Sequence, residues 1–146
     1  MILYLDTSAL IKRYVKEPGT NELSALMDQG SLVGSVLLTQ VEMASALAKA
    51  VRLNWVDAVD AQKAWKAFLS DWRSFTRLSV TSAVIERASR LAWEYGLRGY
   101  DSTHFSAALN WQETLEMRVT LVTYDRELWL AAHKTEMPVW PEGLIS

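Results

Sequence analysis

Apolar and polar positions follow two rhythms along this chain. Ile2, Leu3, Tyr4 and Leu5 form an almost unbroken apolar run, the pattern of a strand buried on both faces of a parallel sheet. Asp6 ends that run. Thr7 and Ser8 are good helix N-cap residues, and Ala9, Leu10, Ile11, Tyr14 and Val15 then recur at helical spacing. The pattern predicts strand, acid, helix. A break at Glu17-Pro18-Gly19 precedes a short helix carrying Leu23, Leu26 and Met27 on one face, stopped by Gly30. Residues 32–36 read as a second strand, weakened by Gly34. From Thr39 a helix places Val41, Ala44, Ala48 and Val51 on or near one stripe, with Glu42 in its first turn.

Beyond a boundary at residues 54–57, Ala61, Trp65, Phe68, Leu69 and Trp72 mark a long helix. Residues 78–80 predict a short strand, and Val84, Ile85, Ala88, Leu91, Ala92 and Tyr95 a helix closed by Gly96. A further helix begins near Asp101 and is rich in small residues (Ser102, Ser106, Ala107, Ala108), which suits close packing on the sheet. Residues 119–123 read as a central strand. Asp125 follows, and Leu128, Trp129, Ala131 and Ala132 then mark a last helix, with residues 138–141 as a short edge strand. Alternating strand and helix signals, without repeats or low-complexity tracts, predict a parallel α/β sandwich in one domain over residues 1–146.

A length of 146 residues with 50% hydrophobic content suits one such core. Seventeen acidic residues against fifteen basic ones give a net charge of -2, so no overall positive field draws in nucleic acid. A polyanionic substrate would need a local basic patch or bound cations. The absence of Cys excludes disulfides, thiolate nucleophiles and Cys-ligated zinc, and fits a reducing cytosol. The first residues enter a strand directly, so no signal peptide is expected. No apolar run reaches the roughly 18 residues of a membrane span, so the expectation is a cytoplasmic protein without a membrane partner.

Four acids, Asp6, Glu42, Asp101 and Asp125, fall at strand ends or helix starts. Each has a purely structural explanation. Asp6 can cap the first helix, Thr39-Gln40-Val41-Glu42 fits a capping box, and Asp101 and Asp125 suit the positive end of a helix dipole. Strand ends and helix starts, however, converge along one edge of a parallel sheet, the edge where ligands bind. Two carboxylates about 5 Å apart repel by roughly 3 kcal/mol at an effective dielectric near 20. Four that converge must take up protons or bind a cation, and hard oxygen donors without Cys select Mg2+ or Mn2+. Such a site polarises a phosphoryl oxygen and activates water, which is the chemistry of phosphodiester hydrolysis with no protein nucleophile.

Four segments carry a resemblance: Tyr4-Leu5-Asp6-Thr7-Ser8-Ala9-Leu10, Thr39-Gln40-Val41-Glu42, residues 97–104 around Gly99-Tyr100-Asp101, and Val122-Thr123-Tyr124-Asp125. In order and spacing they resemble the four acidic motifs of the PIN-domain nucleases, above all the VapC-type toxins of bacterial and archaeal toxin-antitoxin pairs. The resemblance implies a three-layer α/β/α sandwich with a central, mainly parallel sheet of about five short strands. It also implies a Mg2+- or Mn2+-dependent endoribonuclease acting on RNA, restrained by a cognate antitoxin and commonly a homodimer. Carried onto this chain, it makes Asp6, Glu42, Asp101 and Asp125 the catalytic, metal-binding acids, with Ser8 and Thr123 as supporting hydroxyls. Two other readings stand beside it. A haloacid-dehalogenase-type phosphatase would use Asp6 as a nucleophile, but its pattern wants a second Asp where this chain has Ser8. A non-catalytic PIN-like binding module would keep the acids for stability or docking.

Arg98 and Arg126 flank the later acids and are the candidates for phosphate contacts, whereas Lys12, Arg13 and Lys16 read as a solvated face. His104 is either a packed, hydrogen-bonded side chain or a partner of the acid site. His133 is expected to interact with the C-terminus of the last helix. The Trp65, Phe68, Leu69 and Trp72 stripe fits core, a partner groove or a base-stacking surface.

Overall fold

The computed structural model describes residues 1–145. Its elements are β1 (Ile2–Leu5), α1 (Thr7–Tyr14), α2 (Thr20–Gln29), β2 (Leu32–Val36), α3 (Leu38–Arg52), α4 (Ala58–Trp72), β3 (Thr76–Leu78), α5 (Ser82–Tyr95), α6 (Gly99–Leu115), β4 (Val119–Val122), α7 (Arg126–His133) and β5 (Val139–Trp140). All strand pairs are parallel, in the order β3-β2-β1-β4-β5.

The apolar run of β1 is divided between two cores because successive side chains point to opposite faces. Ile2 and Tyr4 pack with Val84, Leu91, Phe105, Trp111 and Leu128 of α5, α6 and α7. Leu3 and Leu5 pack with Leu10, Leu23, Leu26, Met43, Phe68 and Trp72 of α1 to α4. The result is the α/β/α sandwich that the motifs imply, with β1 in its middle.

After β1 the chain lays β2 and β3 on one side, then crosses back to place β4 and β5 on the other. Strand order therefore reverses between β1 and β4, the position beyond the carboxyl ends of the strands where ligands bind in open α/β sheets. Asp6 follows β1 and Asp125 follows β4, so the topology sets the first and last motifs side by side. The Asp6 N–H donates to the Val122 carbonyl at 3.2 Å.

Several local expectations are corrected. The third strand lies two residues earlier than the apolar pattern suggested, because Thr81 starts α5 by accepting the Val84 N–H at 3.1 Å. Asp6, rather than Thr7 or Ser8, is the N-cap of α1. Thr39 forms no capping box: it is buried inside α3 and shares a 2.6 Å hydrogen bond with Ser35. On α3 the core face is Thr39, Met43 and Leu47; Ala44, Ala48 and Val51 instead line an open apolar groove with Ala61 and Trp65 of α4. The aromatic stripe on α4 is accordingly split, with Phe68 and Trp72 in the core and Trp65 in the groove wall. Lys12 is not solvated, since it donates to Glu17 and to the Pro18 carbonyl at 2.9 Å and lies 4.4 Å from the Tyr124 ring centre. His133 stands in the last turn of α7, as expected, and its ring stacks on Trp129, ring centres 4.7 Å apart.

Gly34 marks a close approach in β2. A Cβ there would stand 2.7 Å from the Trp111 ring of α6 and 2.9 Å from the Thr76 carbonyl oxygen of β3. The ring has little room and the paired strand has less. Gly34→Ala is therefore expected to destabilise the fold by about 1–3 kcal/mol. An unchanged urea midpoint would show that the sheet yields at this position.

Candidate active site at the reversal of strand order

Asp6 is 2% exposed, and its carboxylate is held on every side. Its Oδ1 accepts the Ala9 N–H at 3.0 Å and the Ser8 hydroxyl at 2.8 Å, while Oδ2 accepts the Thr123 hydroxyl at 2.6 Å. Each hydroxyl is itself oriented by a backbone donor. Ser8 Oγ accepts the Tyr124 N–H and Thr123 Oγ1 accepts the Asp125 N–H, both at 3.0 Å. The start of α1 is thus tied to the turn after β4. Burial pushes the Asp6 carboxyl above its ordinary range, against the opposing pull of His104 and of the three hydrogen bonds. Both Asp6 oxygens accept protein hydrogen bonds, which hold the carboxylate in one orientation.

Glu42 projects from α3 into a second chain of contacts. The Thr7 hydroxyl donates to its Oε1 at 2.7 Å, and His104 Nε2 meets the same oxygen at 2.7 Å. On its other side the buried His104 ring meets the Tyr4 hydroxyl through Nδ1 at 2.8 Å. Burial works against a charged imidazole, but the Glu42 hydrogen bond and the charges of Asp6, Glu42 and Asp101 outweigh it and raise His104. Burial likewise works against charged Glu42, yet His104 and Thr7 hold its carboxyl below the usual range. The two shifts agree on an imidazolium–carboxylate pair. Of the two readings of His104, packed residue or site partner, both hold: it is wholly enclosed and it faces three of the acids.

Asp101 lies in the first turn of α6, and Asp125 caps α7 by accepting the Leu128 N–H at 2.9 Å. One guanidinium joins them. Arg98 Nε donates to Asp101 Oδ2 at 3.0 Å and Nη2 to Asp125 Oδ2 at 2.9 Å. Burial first, and the Asp125 charge second, push Asp101 up, against Arg98 and His104. Arg126 is exposed and makes no ion pair among the described residues.

Arg98 thus joins Asp101 to Asp125, and His104 pairs with Glu42 and feels the charges of Asp6 and Asp101. Among the described residues, no three acidic or imidazole side chains converge as a ready-made cation cage. Arg98 stands between Asp101 and Asp125, and His104 takes the Glu42 oxygen. The donor chemistry nevertheless fits a hard divalent ion. All four acids supply oxygen, they outnumber the cations, and Asp101 Oδ1 has no protein hydrogen bond among the described residues. Tyr4 was not singled out as a site residue by the sequence pattern, because its contact with His104 joins positions 100 residues apart.

A parallel α/β/α sandwich with acids gathered where its strand order reverses defines the class. The chain belongs to the PIN domain family, which matches residues 3–134. It is 31% identical to Ribonuclease VapC45 of Mycobacterium tuberculosis, over 98% of this chain and 97% of that protein. Among solved structures it is similar to PAE2754 of Pyrobaculum aerophilum, with 27% identity, 95% and 83% of the two chains covered and a TM-score of 0.65. It shares its fold with a chain of a toxin-antitoxin complex from Klebsiella pneumoniae, at 17% identity, 86% and 87% coverage and a TM-score of 0.57. No helix among the described residues is long and apolar enough to cross a membrane.

Proposed function

We propose that residues 1–146 act as a single PIN domain: a cytoplasmic, Mg2+- or Mn2+-dependent endoribonuclease toxin that works as a homodimer and is restrained by a cognate antitoxin. The observation that carries this reading is the linkage of the four acids through two groups, Arg98 bridging Asp101 and Asp125, and His104 paired with Glu42 and coupled to Asp6 and Asp101. Similarity to a ribonuclease over nearly the whole chain supports RNA as substrate, and the toxin-antitoxin complex supports the restraining partner.

Asp6, Glu42, Asp101 and Asp125 would hold the ion. When bound, it supplies Lewis acidity toward the phosphoryl oxygen and an activated water. The chain's own residues do the rest. Ser8 and Thr123 fix the Asp6 carboxylate in one orientation, and Thr7 and His104 do the same for Glu42. Arg126, exposed beside Asp125, receives a substrate phosphate.

The test incubates the purified protein with single-stranded RNA in Mn2+, in Mg2+ and in excess chelator. Cleavage leaving 5'-phosphate ends is expected with either metal and none with chelator, together with a melting temperature that rises with Mn2+ concentration. Cleavage unaffected by chelator would overturn the metal assignment. Metal binding without cleavage of any RNA would leave a binding module.

A further inference from the structure

We infer that Arg98 is a built-in, exchangeable counter-ion of the acid site, holding Asp101 and Asp125 together in the metal-free protein and leaving them when a divalent cation enters. The inference rests on the metal-site reading above. Its ground is the way the guanidinium is used. An Arg paired with one carboxylate frequently spends two N–H groups on that partner. Arg98 spends Nε on Asp101 and Nη2 on Asp125, so a single positive group is shared between two acids from two different helices. That is the role a metal ion would play.

The surroundings make the contact releasable. The Arg98 side chain is 74% exposed, whereas those of Asp101 and Asp125 are 13% and 20% exposed. The acids are fixed by the fold; the Arg is held only by them. Arg98 is the N-cap residue of α6 but its side chain caps nothing, so no structural bond retains it. Exposed ion pairs of long side chains contribute little, because holding the side chain costs entropy and solvent screens the charges. A small divalent ion carries twice the charge and bonds directly to carboxylate oxygen. Between the two acids it displaces the guanidinium, and each metal-binding event carries the loss of two ion pairs.

The experiment measures Mn2+ binding, by calorimetry and by the Mn2+ dependence of the melting temperature, in the wild-type chain and in Arg98→Ala, Arg98→Lys and Arg98→Gln. The Ala and Gln variants are expected to bind Mn2+ roughly tenfold more tightly. Arg98→Lys should fall between them and wild type, since one ammonium cannot span two acids as a planar guanidinium does. Unchanged or weaker Mn2+ affinity in all three variants, with saturable binding in wild type, would overturn the counter-ion role and leave the metal site standing. Absence of Mn2+ binding in every protein would remove the metal site and this inference with it.

Discussion

Replacing Asp6 by Asn is expected to lower RNA cleavage by roughly 10^3-fold or more, while raising the melting temperature of the metal-free protein. The two effects have one cause. Asp6 is enclosed at 2% exposure, and burial lifts its carboxyl above the ordinary value of about 3.9. For an acid whose folded value is raised, the stabilising contribution is fully present below the unfolded value and is lost as pH rises through the folded one. Ionising this buried carboxyl therefore costs the fold stability as pH rises.

Asn keeps the capping oxygen for the Ala9 N–H, and the Ser8 and Thr123 hydroxyls can turn to meet its amide. The expected gain is about 2–4 °C in melting temperature, the shift that roughly 1 kcal/mol gives a chain of this size. Because the penalty appears only as the acid ionises, the gain should vanish on acidification. Melting curves at neutral and acid pH in chelator, paired with RNA cleavage in Mn2+, check both halves. A variant that is destabilised at neutral pH would mean Asp6 serves the fold, and one that still cuts RNA would mean it does not serve the chemistry.

The parts of this site that lay in the sequence are those fixed by local order. An apolar run ending in Asp6, and another ending in Thr123 before Asp125, announce strand ends, and parallel strands put their ends on one edge. Recognition of the acids needed no more than that, together with the family resemblance. What local order could not carry was the pairing of each acid. Thr39 and Glu42 have capping-box spacing, yet α3 begins at Leu38 and burial of Thr39 against Ser35 frees Glu42 for Thr7 and His104. Lys12 looks solvated on a helix face until the Tyr124 ring, 112 residues on, comes to lie beneath it. Arg98 was legible as a cation near the acids, but its division between Asp101 and Asp125 depends on where α6 and α7 start relative to each other. The α3 stripe failed for a different reason: periodicity finds an apolar face without saying whether sheet, neighbouring helix or open groove lies opposite it.

The site also has a structural keystone, and truncating it should give the largest loss of stability in the molecule's polar interior. His104 is 2% exposed, bridges Tyr4 to Glu42, and faces Asp6 and Asp101 through the field. His104→Ala leaves a buried phenol hydroxyl and a half-buried carboxylate without their partner, opens a cavity and removes the cation among three acids. Breaking such a pair from one side costs about 2–4 kcal/mol, with Glu42 at the lower end because its side chain is 21% exposed. The sign of the pH dependence follows from the raised value of His104. Its stabilising contribution is fully present below the unfolded value of about 6.5 and is lost as pH rises through the folded one. The gap in urea midpoint between wild type and His104→Ala should therefore be wider at about pH 6 than at about pH 9. Losing the imidazolium also leaves the acids less neutralised, so added Mn2+ should restore more stability to the variant than to wild type. A gap that stays constant across that pH range would mean His104 is neutral in the folded chain.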